Sequence, residues 1–129
     1  GRKRCIHVAC PDLRSGSPDE GSASVRLRAA YLAVLRSFLA SDAAELRVPP
    51  ISGGIFAGRH KPRIPDSTFE AMLYAIDSLS EADQAALRMR SVLLCIYEAS
   101  EYHAFAAAQA ALCAGVELTL AIEGWSSLG

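Results

Sequence analysis

Hydrophobic positions along the chain change period several times, and the changes mark out elements. Cys5-Ile6-His7-Val8-Ala9-Cys10 is a short apolar run closed by Pro11-Asp12, the pattern of a buried strand entering a loop. Residues 15–24 (SGSPDEGSAS) are small, polar and turn-rich, and predict a surface loop. From Ser24 the period becomes helical, with Val25, Ala29, Leu32, Leu35 and Leu39 predicted on one face and Arg26, Arg36 and Ser37 away from it. Ala44 to Ile51 (AELRVPPI) predicts a second strand, and Pro49-Pro50 bars its end from an ordinary central ladder. Gly53 to Pro65 is expected to be a long loop. Ser67 and Glu70 have capping-box spacing before a helix whose apolar face is Phe69, Met72, Leu73, Ile76 and Leu79.

Ser80 begins a further short helix (SEADQAALRMR), acidic in its first turn and basic in its last, as the helix dipole favours. Val92 to Tyr97 (VLLCIY) is continuously apolar, the mark of a strand covered on both sides. Ser100 is expected to cap an alanine-rich helix over Glu101 to Cys113, with Gly115 ending it. Val116, Leu118, Leu120 and Ile122 then alternate with Glu117, Thr119, Ala121 and Glu123, which predicts a half-exposed edge strand. Strands alternating with helices predict an α/β domain with a mainly parallel or mixed sheet and helices on both faces.

Composition narrows the function classes. The 129 residues, 51% of them hydrophobic, suffice for one domain with a core of its own. Thirteen basic against 14 acidic side chains give a formal charge of −1, which excludes the bulk electrostatics of a general nucleic-acid binder but not a local patch. Such patches occur at Arg2-Lys3-Arg4 and at Arg59, His60, Lys61 and Arg63. The second adjoins a glycine-rich segment and suits a phosphate or RNA backbone, or simply a solvated loop. No apolar run is long enough to span a membrane, and the basic start lacks the apolar core of a signal peptide. Cys5, Cys10, Cys95 and Cys113 form no C-x-x-C pair, so reduced structural thiols in an intracellular protein are expected, with the compartment open between cytoplasm, nucleus and mitochondrion. No cofactor or metal is expected. The start at Gly1 suggests a trimmed chain or part of a longer one.

Among short motifs, neither a P-loop nor a dinucleotide fingerprint, H-E-x-x-H or G-x-S-x-G elbow occurs. The stretch with chemistry is Pro49-Pro50-Ile51-Ser52-Gly53-Gly54-Ile55-Phe56-Ala57-Gly58, which follows a predicted strand. Ligands of parallel sheets sit beyond the carboxyl ends of strands. Small residues there let successive N–H groups converge on an anion without any lysine. Phe56 offers a flat face for a sugar or base. His7 on its strand reads as structural, Asp12 and Arg14 as loop-forming, and Tyr97, Glu98 and Tyr102 cluster on the expected ligand side.

Four segments together resemble the macro domains. VPPISGGIFAG looks like that family's second phosphate-binding loop, and CIHVACPDLR like its V-I-H-x-V-G-P strand. VRLRAAYLAVLRSFLA resembles the helix carrying L-x-x-A-Y-x-x-x-L, and VLLCIYEASEYHAF the last core strand and the helix start after it. The resemblance covers about residues 4–113. It implies a three-layer α/β/α domain that binds ADP-ribose, in a family where some members remove ADP-ribose from proteins or deacetylate O-acetyl-ADP-ribose. It further implies that Ser52, Gly53, Gly54, Ile55 and Phe56 wrap the diphosphate and distal ribose, and that Tyr102 contacts adenine. Gly54 stands at the family's own glycine and Gly53 replaces its usual threonine.

The chain departs from the family in lacking the N-terminal strands, the first glycine-rich loop and the N-A-A-N asparagines; it contains no asparagine at all. The resemblance therefore implies a binding module without complete catalytic machinery, completed by a protein partner or a longer parent chain. Hydrolysis of ADP-ribosyl groups would need that missing half. The alternative is a non-catalytic structural subunit of a larger assembly, such as a ribonucleoprotein, built on a degenerate macro scaffold.

Overall fold

The computed structural model describes residue 6 and residues 20–52, 55–96, 98–114 and 120–124. Four α-helices and three strands occur among them in the order α1 (Glu20–Ala40), β1 (Glu45–Val48), a 3₁₀ segment (Ile55–Arg63), α2 (Ile64–Asp77), α3 (Glu81–Arg88), β2 (Ser91–Ile96), α4 (Ala99–Leu112) and β3 (Leu120–Gly124). The strands form one parallel sheet in the order β1-β2-β3. Leu46 pairs with Val92 and Val48 with Leu94, and Val92, Leu94 and Ile96 continue opposite Leu120, Ile122 and Gly124. The expected α/β class with a parallel sheet is therefore present.

Strand residues alternate between faces. Leu46, Val48, Val92, Leu94 and Ile96 share one face and are buried in the core; on the other face Glu45 and Arg47 of β1 are exposed, while Leu93 is half-buried and Cys95 buried in β2. Each step from β1 to β2 to β3 moves in one direction, with the 3₁₀ segment, α2 and α3 joining the first pair and α4 the second. Packing agrees, because α2 lies against α1 on one flank and α4 on the other. The parallel sheet of the expected α/β class is present, and α1, α2 and α4 pack in succession beside it.

Helix α1 differs most from its sequence reading. Its buried residues are Ala23, Leu27, Ala30, Tyr31, Val34, Leu35 and Phe38, a stripe rotated from the predicted one and sharing only Leu35 with it. Val25 is 59% exposed, and Leu32 and Leu39 are only half-buried. Tyr31 and Phe38, one heptad apart, carry the largest apolar areas on the helix and decide which side turns inward. The helix also starts earlier than expected, so residues 20–24 are helical rather than loop.

The expected loop over Gly53 to Pro65 is mostly ordered as the 3₁₀ segment, with Gly58 as its kink at φ 55° and ψ −131°. That combination is accessible to glycine and costly for any residue with a Cβ. Helix α2 then begins a turn before Ser67, with Arg63 as N-cap and Pro65 in the first turn, where a missing N–H costs nothing. Ser67 lies inside the helix, so the capping box does not form. Phe69 and Met72 are buried as expected, and Leu73 and Ile76 are half-buried. Ser100 is likewise interior to α4, whose N-cap is Glu98. By contrast Ser80 caps α3 as expected, its hydroxyl accepting from the Asp83 N–H at 3.1 Å.

Long-range polar contacts close the helix ends. The Arg90 guanidinium donates to the carbonyls of Phe38 (2.8 Å) and Ser41 (3.0 Å) at the end of α1, and lies 5.1 Å from the Phe38 ring centre. Gln84 Nε2 donates to Ile76 O (3.0 Å) and Leu79 O (3.2 Å) at the end of α2. Phe69 and Phe105 join α2 to α4 edge to face at 6.4 Å.

Of the expected first strand, Cys5–Cys10, only Ile6 is described; it lies outside any strand and is 36% exposed, against the buried position expected. The last strand is present over Leu120–Gly124 and lies at a sheet edge among the described strands. Residues 116–119 and Gly115 are outside the described residues. No described helix is long and apolar enough to cross a membrane.

Candidate functional site

Because the strands are parallel, the segments leaving β1 and β2 emerge from the same carboxyl edge of the sheet. Pro49 to Ser52 leave β1 there, and Glu98 and the first turn of α4 follow β2 there. At the β1 exit Ile51 is 3% exposed and donates its N–H to Tyr31 Oη at 2.9 Å. This bond spans from the middle of α1 to the start of the glycine-rich loop. Ser52 follows, 5% exposed, at φ 60°. It is the one non-glycine with a positive φ among the described residues. A left-handed conformation costs a non-glycine residue about 1–2 kcal/mol and persists where surrounding contacts enforce it. Backbone strain of this kind recurs at ligand-binding turns, where it aims consecutive N–H groups.

Gly53 and Gly54 lie outside the described residues, as do the side chains of Ile55, Phe56 and Arg59. Ala57 is fully buried and anchors the 3₁₀ segment to the core. Lys61 reaches Glu101 in the first turn of α4, Nζ to Oε1 3.5 Å. That pair ties the basic run to the helix carrying Tyr102. Both partners are substantially solvent-facing, so the pair is worth under about 1 kcal/mol, and an incoming anion can compete for Lys61. Arg63 is exposed at the start of α2.

Tyr102 is half-buried, packs against the core and lies edge to face with His103 at 6.2 Å. It sits on the expected side of the sheet. Tyr97, His7, Asp12, Arg14 and Arg2-Lys3-Arg4 are outside the described residues. No strand-order reversal occurs between β1 and β3, so the crevice such a reversal opens is not formed by these strands.

Cys95 and Cys113 are free thiols, the first buried. Burial pushes the Cys113 thiol up from its ordinary value. Among the described residues no three His, Cys, Asp or Glu side chains converge to hold a metal ion.

Two residues stand differently from the sequence reading. Tyr31 anchors the loop entrance, and its signal was present as the only aromatic in the middle of α1. His60 is 8% exposed, although it sits in a basic run that reads as solvated. No known protein family, curated protein or solved structure matches the chain.

Proposed function

We propose that the chain is a binding module of the macro type for ADP-ribose or a related phosphate-containing nucleotide, with its ligand at the loop after β1. The observation that carries this reading is the strained, buried Ser52 at the carboxyl edge of a parallel sheet, opening the sequence I-S-G-G-I-F. In this reading the backbone N–H groups of Gly53 to Phe56 take the diphosphate, Phe56 stacks on the ribose and Tyr102 borders the base. The fold is the three-layer α/β/α arrangement, its second helical layer supplied by chain or partner outside the described residues. No residue is assigned to catalysis, and the ligand is bound rather than turned over.

The test is a Gly54→Glu variant titrated with ADP-ribose. A carboxylate in the nest should reduce affinity at least a hundredfold. Unchanged affinity contradicts the assignment.

The second reading is a structural subunit of a larger assembly that holds RNA or protein through Arg59, Lys61 and Arg63. It is favoured by β1, which pairs on one side only among the described strands and whose Glu45 and Arg47 are exposed. Open edges invite a partner. Size-exclusion chromatography separates the two, since a monomer that binds ADP-ribose belongs to the first.

A further inference from the structure

Helix α1 is apolar on two sides. Its inward stripe meets the core, yet Val25 is 59% exposed and Leu32, two turns further on, is half-buried. A helix apolar nearly all round is covered on both sides in stable proteins. Next to these residues the Arg28 guanidinium lies over the ring of Tyr74 from α2, 4.2 Å from its centre, and Tyr74 is itself 54% exposed. Val25, Arg28 and Leu32 follow one another at helical spacing, so with Tyr74 they make a continuous patch on the outer side of the α1–α2 pair. Tyrosine and arginine on an apolar ground are enriched at protein interfaces.

The charges around the patch select its partner. On α1 it is bordered by Arg36, and on α2 by Asp66, Glu70 and Asp77, all of them exposed. Among the described residues none of these four enters an ion pair within the chain. A partner carrying one sign of charge meets repulsion on one of the two helices. A second copy of the chain does not. The two helices run the same way, since their first turns line one recess and Arg28 meets Tyr74 further along. A two-fold axis parallel to them lays the basic helix of each copy along the acidic helix of the other.

We propose that the outer face of α1 and α2 binds a second copy of the chain in a closed two-fold dimer. Val25, Leu32 and the stacked Arg28 and Tyr74 form its centre. Arg36 of each copy meets Asp77 of the other, because helical side chains lean toward the N-terminus and carry the guanidinium down to that level. Overlap is limited by the 14 residues of α2. At about 21 Å long and about 20 Å wide for two helices side by side, the face offers on the order of 400 Å² per copy. That is the low end for specific association, and it fits a reversible dimer with Kd of about 10–100 µM. The interface rests neither on the nucleotide reading of the β1 loop nor on the open β1 edge.

The experiment is sedimentation equilibrium of the purified chain from about 1 µM to about 1 mM, which brackets such a Kd. A monomer–dimer equilibrium with no larger species is expected. Arg36→Glu alone and Asp77→Arg alone should each weaken it about tenfold, since each sets like charges face to face. An equimolar mixture of the two variants should regain association, because both contacts then join opposite charges; recovery also shows that each variant is folded. Tyr74→Ser should weaken the dimer by at least as much, with native circular dichroism as the check on its fold. Arg47→Glu, on β1, should leave the equilibrium unchanged. A chain that stays monomeric over the whole range, a dimer indifferent to both charge reversals, or a mixture that fails to recover overturns the proposal.

Discussion

Tyr31 and Gly58 show how single residues hold the candidate loop. Tyr31 is 1% exposed, and its hydroxyl accepts the Ile51 N–H one residue before the strained Ser52. A phenylalanine there keeps the ring packing but leaves a buried N–H unpaired, at a cost of about 1–3 kcal/mol. Tyr31→Phe should therefore lower stability by that amount in urea unfolding and weaken ligand binding as the loop loses its anchor. Unaltered stability would mean that water replaces the hydroxyl. Gly58 occupies a region of φ and ψ closed to other residues. Gly58→Ala should destabilise by about 1–3 kcal/mol, read from the same unfolding curves. At Cys113 burial raises the thiol's affinity for its proton, leaving less thiolate at neutral pH. Iodoacetamide should modify Cys113 more slowly in the native chain at pH 7 than after denaturation, as peptide mass mapping would show. Equal rates would contradict the burial.

Elements here are closed from a distance rather than by their own sequence. Helix α1 has no basic residue in its last turn, and Arg90, from the turn before β2, supplies the cation and the donors instead. Arg90→Ala removes hydrogen bonds to two carbonyls and a ring contact, with an expected loss of about 1–3 kcal/mol. Arg90→Lys should recover only part of that loss, because an ammonium cannot fork between the Phe38 and Ser41 carbonyls. Full recovery would argue that charge alone matters.

This dependence on distant partners also explains what the sequence disclosed at this scale. Strands β1 and β2 and the capped helix α3 were legible because their signals are local: apolar runs, and Ser80 before an acidic turn. The inward side of α1 was not, since apolar residues occur nearly all round it and the choice belongs to what packs against Tyr31 and Phe38. The start of α2 was misread because Ser67 with Glu70 mimics a capping box, while Pro65 had already opened the first turn. The burial of His60 was not foreseen, because its charged neighbours on the 3₁₀ segment make the run read as solvated.

At the scale of the whole molecule, the parallel order β1-β2-β3 is what gives the β1 exit its meaning. A strand-to-loop transition at a carboxyl edge, strained at Ser52 and followed by two glycines, is where a parallel α/β domain can present backbone N–H groups to phosphate. The alternation of strands and helices foretold this edge. Which elements cover each face was not legible, because sequence periodicity reports that a face is apolar and not which partner covers it. The most direct measurement is a calorimetric titration of the purified, folded chain with ADP-ribose. The account predicts saturable binding with one ligand per chain at micromolar affinity, about −8 kcal/mol. No heat of binding from a sample with native circular dichroism would contradict it, and the segment leaving β1 would then have to serve a protein or RNA contact instead.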